Sequence, residues 1–260
     1  MVDVQGMKVQ TDEIAIWWLG QGGFAFKVHS GMVFMVDPHL SFSMRKATYI
    51  HRDLCLKPEE AKVDYVLCTH DHLDHADPET LLPLSQANPA ATFIGPPEAY
   101  ERFVKLGIAR SRCRRVVHGE ETTIGGVRVK AVYAEPTGTA RDVMHVGYVF
   151  DTGRVKVYIT GDTKVGLPSY VSRLHDAIAE RPDVMLVCIN EGYNNLGPVE
   201  AAELTRMVRP KVVIPMHYDC IRENTIEPSQ FTSWIVGRAG TTVTIMSYGG
   251  VRVFKRDASV

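Results

Sequence analysis

The chain has 260 residues, of which 45% are apolar and 23% charged, and its formal net charge is −1. These values suit a single α/β domain spanning residues 1–260 and exclude a disordered, fibrous or strongly basic nucleic-acid-binding chain. Cys55, Cys68, Cys113, Cys188 and Cys220 are odd in number and never spaced C-x-x-C, and there is neither a leader-like start nor an apolar run of the ~20 residues needed to span a bilayer, so a cytoplasmic protein with free thiols and no membrane contact is expected.

In chain order, the apolar runs Ile14 to Leu19, Phe24 to Val28 and Val33 to Val36 are joined by Gly20-Gln21-Gly22-Gly23 and His29-Ser30-Gly31, which predicts a meander of strands. A further run, Val63 to Cys68, ends at Thr69. Asp77-Pro78-Glu79 then predicts a helix start, with Asp77 as cap and Pro78 at the first position. Phe93 to Gly95 and Pro96 to Leu106 predict strand then helix, and Arg112 to Val117 another short strand. Val127 to Tyr133, Val146 to Phe150 and Val155 to Thr160 form a second strand-rich block, and helical spacing returns at Tyr170 to Ala179. Val184 to Ile189 and Val212 to Ile214 have the continuous apolar character of fully buried strands, with a helix over Pro198 to Val208 between them. This order predicts two sheets packed face to face with helices outside.

The chemistry concentrates in His70-Asp71-His72-Leu73-Asp74-His75, on the loop leaving the Val63 to Cys68 strand. Packing has no use for such a cluster, whereas divalent metals want imidazole and carboxylate donors together. Alternation along an extended loop turns His70 and His72 toward one metal and leaves Asp74 and His75 for a second. Two distant turns extend the set. Asp162, in Thr160-Gly161-Asp162-Thr163, is alone an ordinary turn former, but beside the cluster it becomes a candidate bridging carboxylate. His217, in Ile214-Pro215-Met216-His217-Tyr218-Asp219, follows another buried strand. Asp37, in the turn after the third apolar run, is a candidate to hold a ligand imidazole by its far N–H, or a plain turn residue.

The succession H-x-H-x-D-H, G-D-T and P-M-H-Y, with Trp17-Trp18-Leu19-Gly20 and Val36-Asp37-Pro38, resembles the metallo-β-lactamase superfamily. Within it the chain is most similar to the L-ascorbate-6-phosphate lactonase family and its uncharacterised relatives, through Trp17 to Gly20, Thr69 to His75, Phe93-Ile94-Gly95-Pro96 and Val212-Val213-Ile214-Pro215 leading into His217. The resemblance implies an αββα sandwich of two mixed β-sheets with helices outside. It assigns His70 and His72 to a first metal, Asp74, His75 and His217 to a second, and Asp162 to both. One position departs from the superfamily. A further first-metal histidine is expected shortly after a run such as Val129 to Ala134, where this chain has Glu135-Pro136. Proline cannot coordinate, so Glu135, Asp142, His145 or a water is left to fill that place, and an oxygen donor there would favour Mn²⁺ over Zn²⁺.

A divalent pair lowers the pKa of a bound water and polarises the oxygen under attack, while Asp74 and Asp162 position that water and take its proton. The expected activity is lactone or carboxylic-ester hydrolysis of a small sugar acid, phosphorylated or not, with one or two Mn²⁺ or Zn²⁺ ions. Arg45, Lys46 and His51 are candidates to meet a phosphate, and Glu191 to Asn195 and Tyr218 to line the mouth. The alternatives are a phosphodiesterase or nuclease of the same fold, disfavoured by the near-zero charge, and a non-catalytic binder with a degenerate first site. A homo-oligomer is compatible with all three readings.

Overall fold

Strands β1 (Glu13–Gly20), β2 (Gly23–Val28) and β3 (Val33–Val36) are apolar at nearly every position because both of their faces are covered. Ile14, Ile16, Trp18, Phe24 and Phe26 face a core between two sheets, while Ala15, Trp17, Leu19 and Ala25 face a second apolar layer shared with the helices outside. The computed structural model describes residues 2–135, 143–164, 172–191, 195–235 and 240–255.

The first sheet continues through β4 (Tyr65–Leu67), β5 (Thr92–Gly95) and β6 (Cys113–Arg115). The second contains β7 (Glu121–Ile124), β8 (Val127–Tyr133), β9 (Val146–Asp151), β10 (Lys156–Ile159), β11 (Val184–Cys188), β12 (Val212–Met216) and β13 (Thr242–Val243). A last strand, β14 (Val251–Lys255), returns to the first sheet and pairs antiparallel with β1, so that the orders are β14-β1-β2-β3-β4-β5-β6 and β13-β12-β11-β10-β9-β8-β7. Each sheet is an antiparallel meander followed by parallel strands: β3 to β6 in one, β10 to β13 in the other. Parallel strands place their carboxyl ends on a common edge, and the loops leaving β4, β10 and β12 carry the histidine cluster, Asp162 and His217.

Helices α1 (Pro78–Ala87), α2 (Pro97–Lys105), α3 (His175–Ala179), α4 (Pro198–Val208) and α5 (Pro228–Ile235) complete the metallo-β-lactamase fold. The predicted cap of α1 is present: Asp77 accepts the Glu79 N–H at 3.0 Å and Pro78 opens the helix. The helix expected over Tyr170 to Ala179 is described only as His175–Ala179, residues 165–171 lying outside the described part. Four elements were not anticipated: β7, β13, α5 and β14. Among the described residues no helix is long and apolar enough to cross a membrane, and all five cysteines are free thiols.

Aromatic rings join the two sheets. Phe26 and Phe34 of the first stack at 4.7 Å, and both reach Phe150 of the second, at 5.5 and 4.8 Å. Tyr148, also on β9, crosses the interface to donate its hydroxyl to the Cys68 carbonyl at 2.8 Å, tying the second sheet to the strand that presents the histidines.

Away from that edge, Glu180 gathers Arg128 at 2.6 Å, Lys156 at 3.0 Å and Lys130 at 3.5 Å. The Arg128 hydrogen bond and the Lys156 contacts pull its pKa from 4.5 down to about 2. A depressed carboxylate contributes stability above its unfolded pKa and loses it as pH falls through the folded value. Glu180→Gln is therefore expected to cost about 1–2 kcal/mol at neutral pH, discounted for the partly exposed Arg128. In urea titrations the gap between wild type and variant should close as pH falls from 4.5 toward about 2; a gap that does not vary with pH would contradict this.

Candidate metal centre

Three imidazoles are held at Nδ1 by protein acceptors, which leaves each Nε2 to face the other donors of the cluster. Asp37, fully buried at the end of β3 with φ of 47°, accepts the His75 Nδ1–H at 2.8 Å together with the Thr69 N–H and Thr69 hydroxyl, both at 2.6 Å. With its hydrogen committed to Asp37, the Thr69 hydroxyl serves as acceptor for His70 Nδ1 at 3.0 Å. His145 directs its Nδ1 to the Asp162 carbonyl at 3.2 Å. Asp37 is thus the residue behind His75, and through Thr69 it also steadies His70. Asp71 does not face the cluster. It pairs with Arg102 of α2, whose Nη2 also holds the Asp71 carbonyl at 2.8 Å and so fixes the histidine loop.

The freed nitrogens converge. Donor atoms of His70, His72 and His145 lie within 4.8 Å of one another, as do those of His70, His75 and Asp162 and those of Asp74, His75 and His217. His70 Nε2 and His72 Nδ1 are 2.8 Å apart, and the His70 and His145 rings stack at 3.9 Å. Asp162 Oδ1 sits 2.7 Å from His217 Nε2 and 3.4 Å from His75 Nε2, whose other carboxylate neighbour is Asp74 Oδ2 at 3.7 Å. His75 Nε2, His145 Nε2, His217 Nε2 and Asp162 Oδ1 are all buried without a hydrogen-bond partner. Buried polar atoms seldom stay unpaired, and several facing one another form a donor set that fits divalent cations.

Electrostatics agree with that fit at His70, His145 and Asp162, whereas at His75 burial is outweighed by Asp162, Asp74 and Asp37, which raise its pKa well above the ordinary value in the metal-free protein. Burial drives the His70 pKa well below the ordinary histidine value and takes His145 down to about 4, so both rings are neutral, as ligands must be. Burial would raise Asp162, but His217 and His75 pull it well below the usual carboxylate range. The backbone also accommodates the cluster at some cost. His217, with φ of 65°, and Gln21, with φ of 48°, are non-glycine residues in the left-handed region. A Cβ on Gly22 would lie 3.0 Å from His75 and 3.1 Å from His217, so glycine lets that turn approach them without displacing either ring.

Of the alternatives left open for the first cluster, the structure brings His145 to it. Glu135 turns away, bonded to Tyr133 and paired with Arg173 at 3.2 Å, while His145 at the start of β9 supplies the third imidazole. Pro136 and Asp142 lie outside the described residues. His70, His72, Asp74, His75, Asp162 and His217 all come together as the sequence predicts. Tyr218 does not line the mouth: it is buried, stacks on Trp18 at 4.4 Å and bonds the Met246 carbonyl. Arg45 is committed to Glu79 and the Phe42 carbonyl, and Lys46 is exposed. Of the Glu191 to Asn195 segment, Gly192, Tyr193 and Asn194 lie outside the described residues, and Asn195 is buried against Asn190 at 3.1 Å.

Beside the cluster is a narrow pocket of about 20 Å³ walled by Leu19, Phe42, Tyr49, Leu54 and Tyr248, with Gln21, His39, Ser41 and His51 as its polar side chains. Gln21 links the two regions, its amide reaching Asp74 Oδ2 at 3.4 Å. The sequence signals missed here are His39, directly after Asp37-Pro38, and Tyr49.

This fold and donor set are those of the beta-lactamase superfamily, to which the chain belongs: the model of the beta-lactamase superfamily domain matches residues 15–217. A UPF0173 metal-dependent hydrolase from Polaromonas sp. is 30% identical, with 92% of this chain and 89% of that protein covered. Within the superfamily the chain is a member of the UPF0173 metal-dependent hydrolases. Among solved structures, Igni18, a metallo hydrolase from Ignicoccus hospitalis, superposes with a TM-score of 0.75 at 22% identity, covering 94% of this chain and 99% of that one. An isothiocyanate hydrolase from Delia radicum gut bacteria gives 0.72 at 18% identity, covering 93% and 99%. These two likenesses concern the fold.

Proposed function

We propose that the protein hydrolyses small, uncharged carboxylic esters, lactones foremost, and that His70, His72 and His145 hold one divalent ion while Asp74, His75 and His217 hold a second, with Asp162 between them. The observation that supports the substrate class is the lining of the narrow pocket beside the cluster. Its walls are aromatic and aliphatic, and no lysine or arginine is among its described lining residues. A phosphoryl group calls for guanidinium or ammonium partners, so the phosphorylated sugar acid and the phosphodiester are both less well matched than a neutral ester.

When bound, a divalent pair would acidify a water and polarise the substrate oxygen. Asp74, beside the cavity through Gln21, orients the attacking water and accepts its proton at Oδ2. Asp162, kept anionic by His75 and His217, holds those two rings in register across the site. Gln21 presents its amide at the junction of cavity and cluster. With three imidazoles, the first cluster favours Zn²⁺ over Mn²⁺, reversing the preference expected from an oxygen donor there. A third imidazole from His145 supports the catalytic reading over a non-catalytic one with a degenerate first site.

The test is a panel of unphosphorylated lactones, a phosphorylated lactone and a phosphodiester, assayed after loading with Zn²⁺ or Mn²⁺ and again after chelation. We expect unphosphorylated lactones to give the highest kcat/KM and chelation to abolish turnover. Phosphodiester cleavage without lactone opening would overturn the assignment.

A further inference from the structure

The turn between β1 and β2 reads Gly20-Gln21-Gly22-Gly23, and its one side chain stands where a glycine would cost least. Gln21 has φ of 48°, in the left-handed region, yet it is only 1% exposed. Its backbone is held from three directions: the N–H donates to Cys220 Sγ at 3.2 Å, and the carbonyl accepts from Trp18 Nε1 and from the His217 N–H, both at 3.1 Å. A turn has no need of a strained, buried glutamine, so the side chain has a use of its own.

Half of that use is visible. The amide nitrogen reaches Asp74 Oδ2 at 3.4 Å, and because a carboxylate only accepts, Nε2 faces it and Oε1 points away. Oε1 is buried and has no hydrogen-bond partner among the described residues. The other polar groups of the pocket are engaged. His39 turns Nδ1 to Asp77 Oδ2 at 3.6 Å and Nε2 to Tyr49 Oη at 3.1 Å, and that hydroxyl also accepts the Met44 N–H at 3.1 Å. Ser41 Oγ donates to Asp77 at 2.6 Å, Tyr248 Oη accepts the Cys55 N–H at 3.1 Å, and His51 Nε2 faces Asp219 Oδ2 at 3.3 Å. Gln21 Oε1 is the acceptor left to whatever enters. The pocket of about 20 Å³ has room for one water-sized group, which needs roughly 10–15 Å³.

An ester or lactone group offers only acceptors, its carbonyl and its bridging oxygen, and so cannot satisfy Oε1. A hydroxyl can. Nε2 and Oε1 share one carbon, which puts the required donor one amide width from the Asp74 carboxylate and close to the carbon under attack. We infer that Gln21 is a specificity-determining residue whose Oε1 accepts a hydrogen bond from a substrate hydroxyl on the carbon next to the ester carbonyl, so that 2-hydroxy lactones and esters are the preferred class. The inference rests on the ester reading above. The side chains of Leu19, Phe42 and Leu54 offer such a hydroxyl no alternative partner. A substrate without it leaves Oε1 desolvated and unpaired, the circumstance in which a site rejects an analogue most strongly.

The experiment compares γ-butyrolactone with each enantiomer of 2-hydroxy-γ-butyrolactone on the Zn²⁺-loaded protein and on Gln21→Met, which keeps the length of the side chain without its carbonyl. Each rate is divided by that of the same lactone with hydroxide. Wild type is expected to open one hydroxylated enantiomer with kcat/KM about 10–100-fold above that of the unsubstituted lactone. Loss of the Asp74 contact in Gln21→Met lowers all rates together, so the ratio is the readout, and it should fall to within about threefold of one. Equal values in wild type would overturn the inference and leave the ester reading standing. A ratio that persists in Gln21→Met would overturn it too, since the hydroxyl would then be read by the metal ions. A wild-type protein that opens none of the three lactones overturns both. Should Gln21→Met turn over nothing, calorimetric titration of the two loaded proteins with the ring-opened products, 2,4-dihydroxybutyrate and 4-hydroxybutyrate, gives the ratio as Kd values; a ratio equal in the two proteins overturns the inference.

Discussion

Replacing His145 by alanine is expected to remove about one of two metal equivalents and to lower turnover by more than about 10²-fold, with little change in thermal stability of the metal-free protein. The ring sits at the start of β9, buried but oriented by a single bond to the Asp162 carbonyl, and its Nε2 has no other partner to lose. Glu135→Ala is the matched control. Its carboxylate belongs to Tyr133 and Arg173, so metal content should stay at the wild-type value. Elemental analysis of dialysed protein distinguishes the two. A wild-type metal count in the His145 variant, or a loss in the Glu135 variant, would mean that the first site is built as the sequence register alone suggests.

Asp37→Ala should have the largest combined effect on folding and metal binding. The carboxylate accepts the His75 Nδ1–H at 2.8 Å and the Thr69 N–H at 2.6 Å, and it sets the direction of the Thr69 hydroxyl that in turn steadies His70. Removing it leaves buried donors unpaired, a cost on the order of 3 kcal/mol in the metal-free protein. It also frees the His75 ring, which should weaken metal binding about 10–100-fold. Asp37→Asn keeps a residue that tolerates the left-handed backbone and one carbonyl acceptor, so it should fall between. Urea denaturation without metal and titration with Zn²⁺ separate the two components. A variant as stable as wild type that binds metal normally would show that Asp37 is a turn residue and nothing more.

The parts of the centre that could be read from sequence are those in which donors are neighbours along the chain or follow a strongly apolar strand. His70, His72, Asp74 and His75 lie on one loop, and Asp162 and His217 each end a buried strand whose turn is marked by Gly161 or Pro215. His145 fails both criteria. It stands alone before β9, and locating it requires the length of the connection from β8, which no periodicity reveals; counting from Val129 to Ala134 lands on Glu135-Pro136 instead. His39, Tyr49 and Asp77 were hidden for a related reason. Each has a sufficient local explanation, as turn, apolar wall or helix cap, and only the packing of β3 against the start of α1 brings them within reach of one another. In the fold, the continuous apolar strands β1, β2, β3, β11 and β12 declared themselves. β14 did not, because Arg252, Val253 and Lys255 are exposed and the strand borrows its order from β1.

That last pairing also bears on how the molecule comes to be folded. Glu13 lies opposite Lys255, so β1 acquires its second neighbour only after the chain has been synthesised past residue 255. Until then the first sheet presents an open strand edge rich in Ile14, Ile16, Trp17 and Trp18, the kind of edge that recruits other chains. Contacts so distant in sequence form slowly. The nascent chain should therefore depend on chaperones until β14 closes the sheet, and pulse-labelling hydrogen exchange during refolding should find β1 and β14 gaining protection together, after the β8–β9 hairpin.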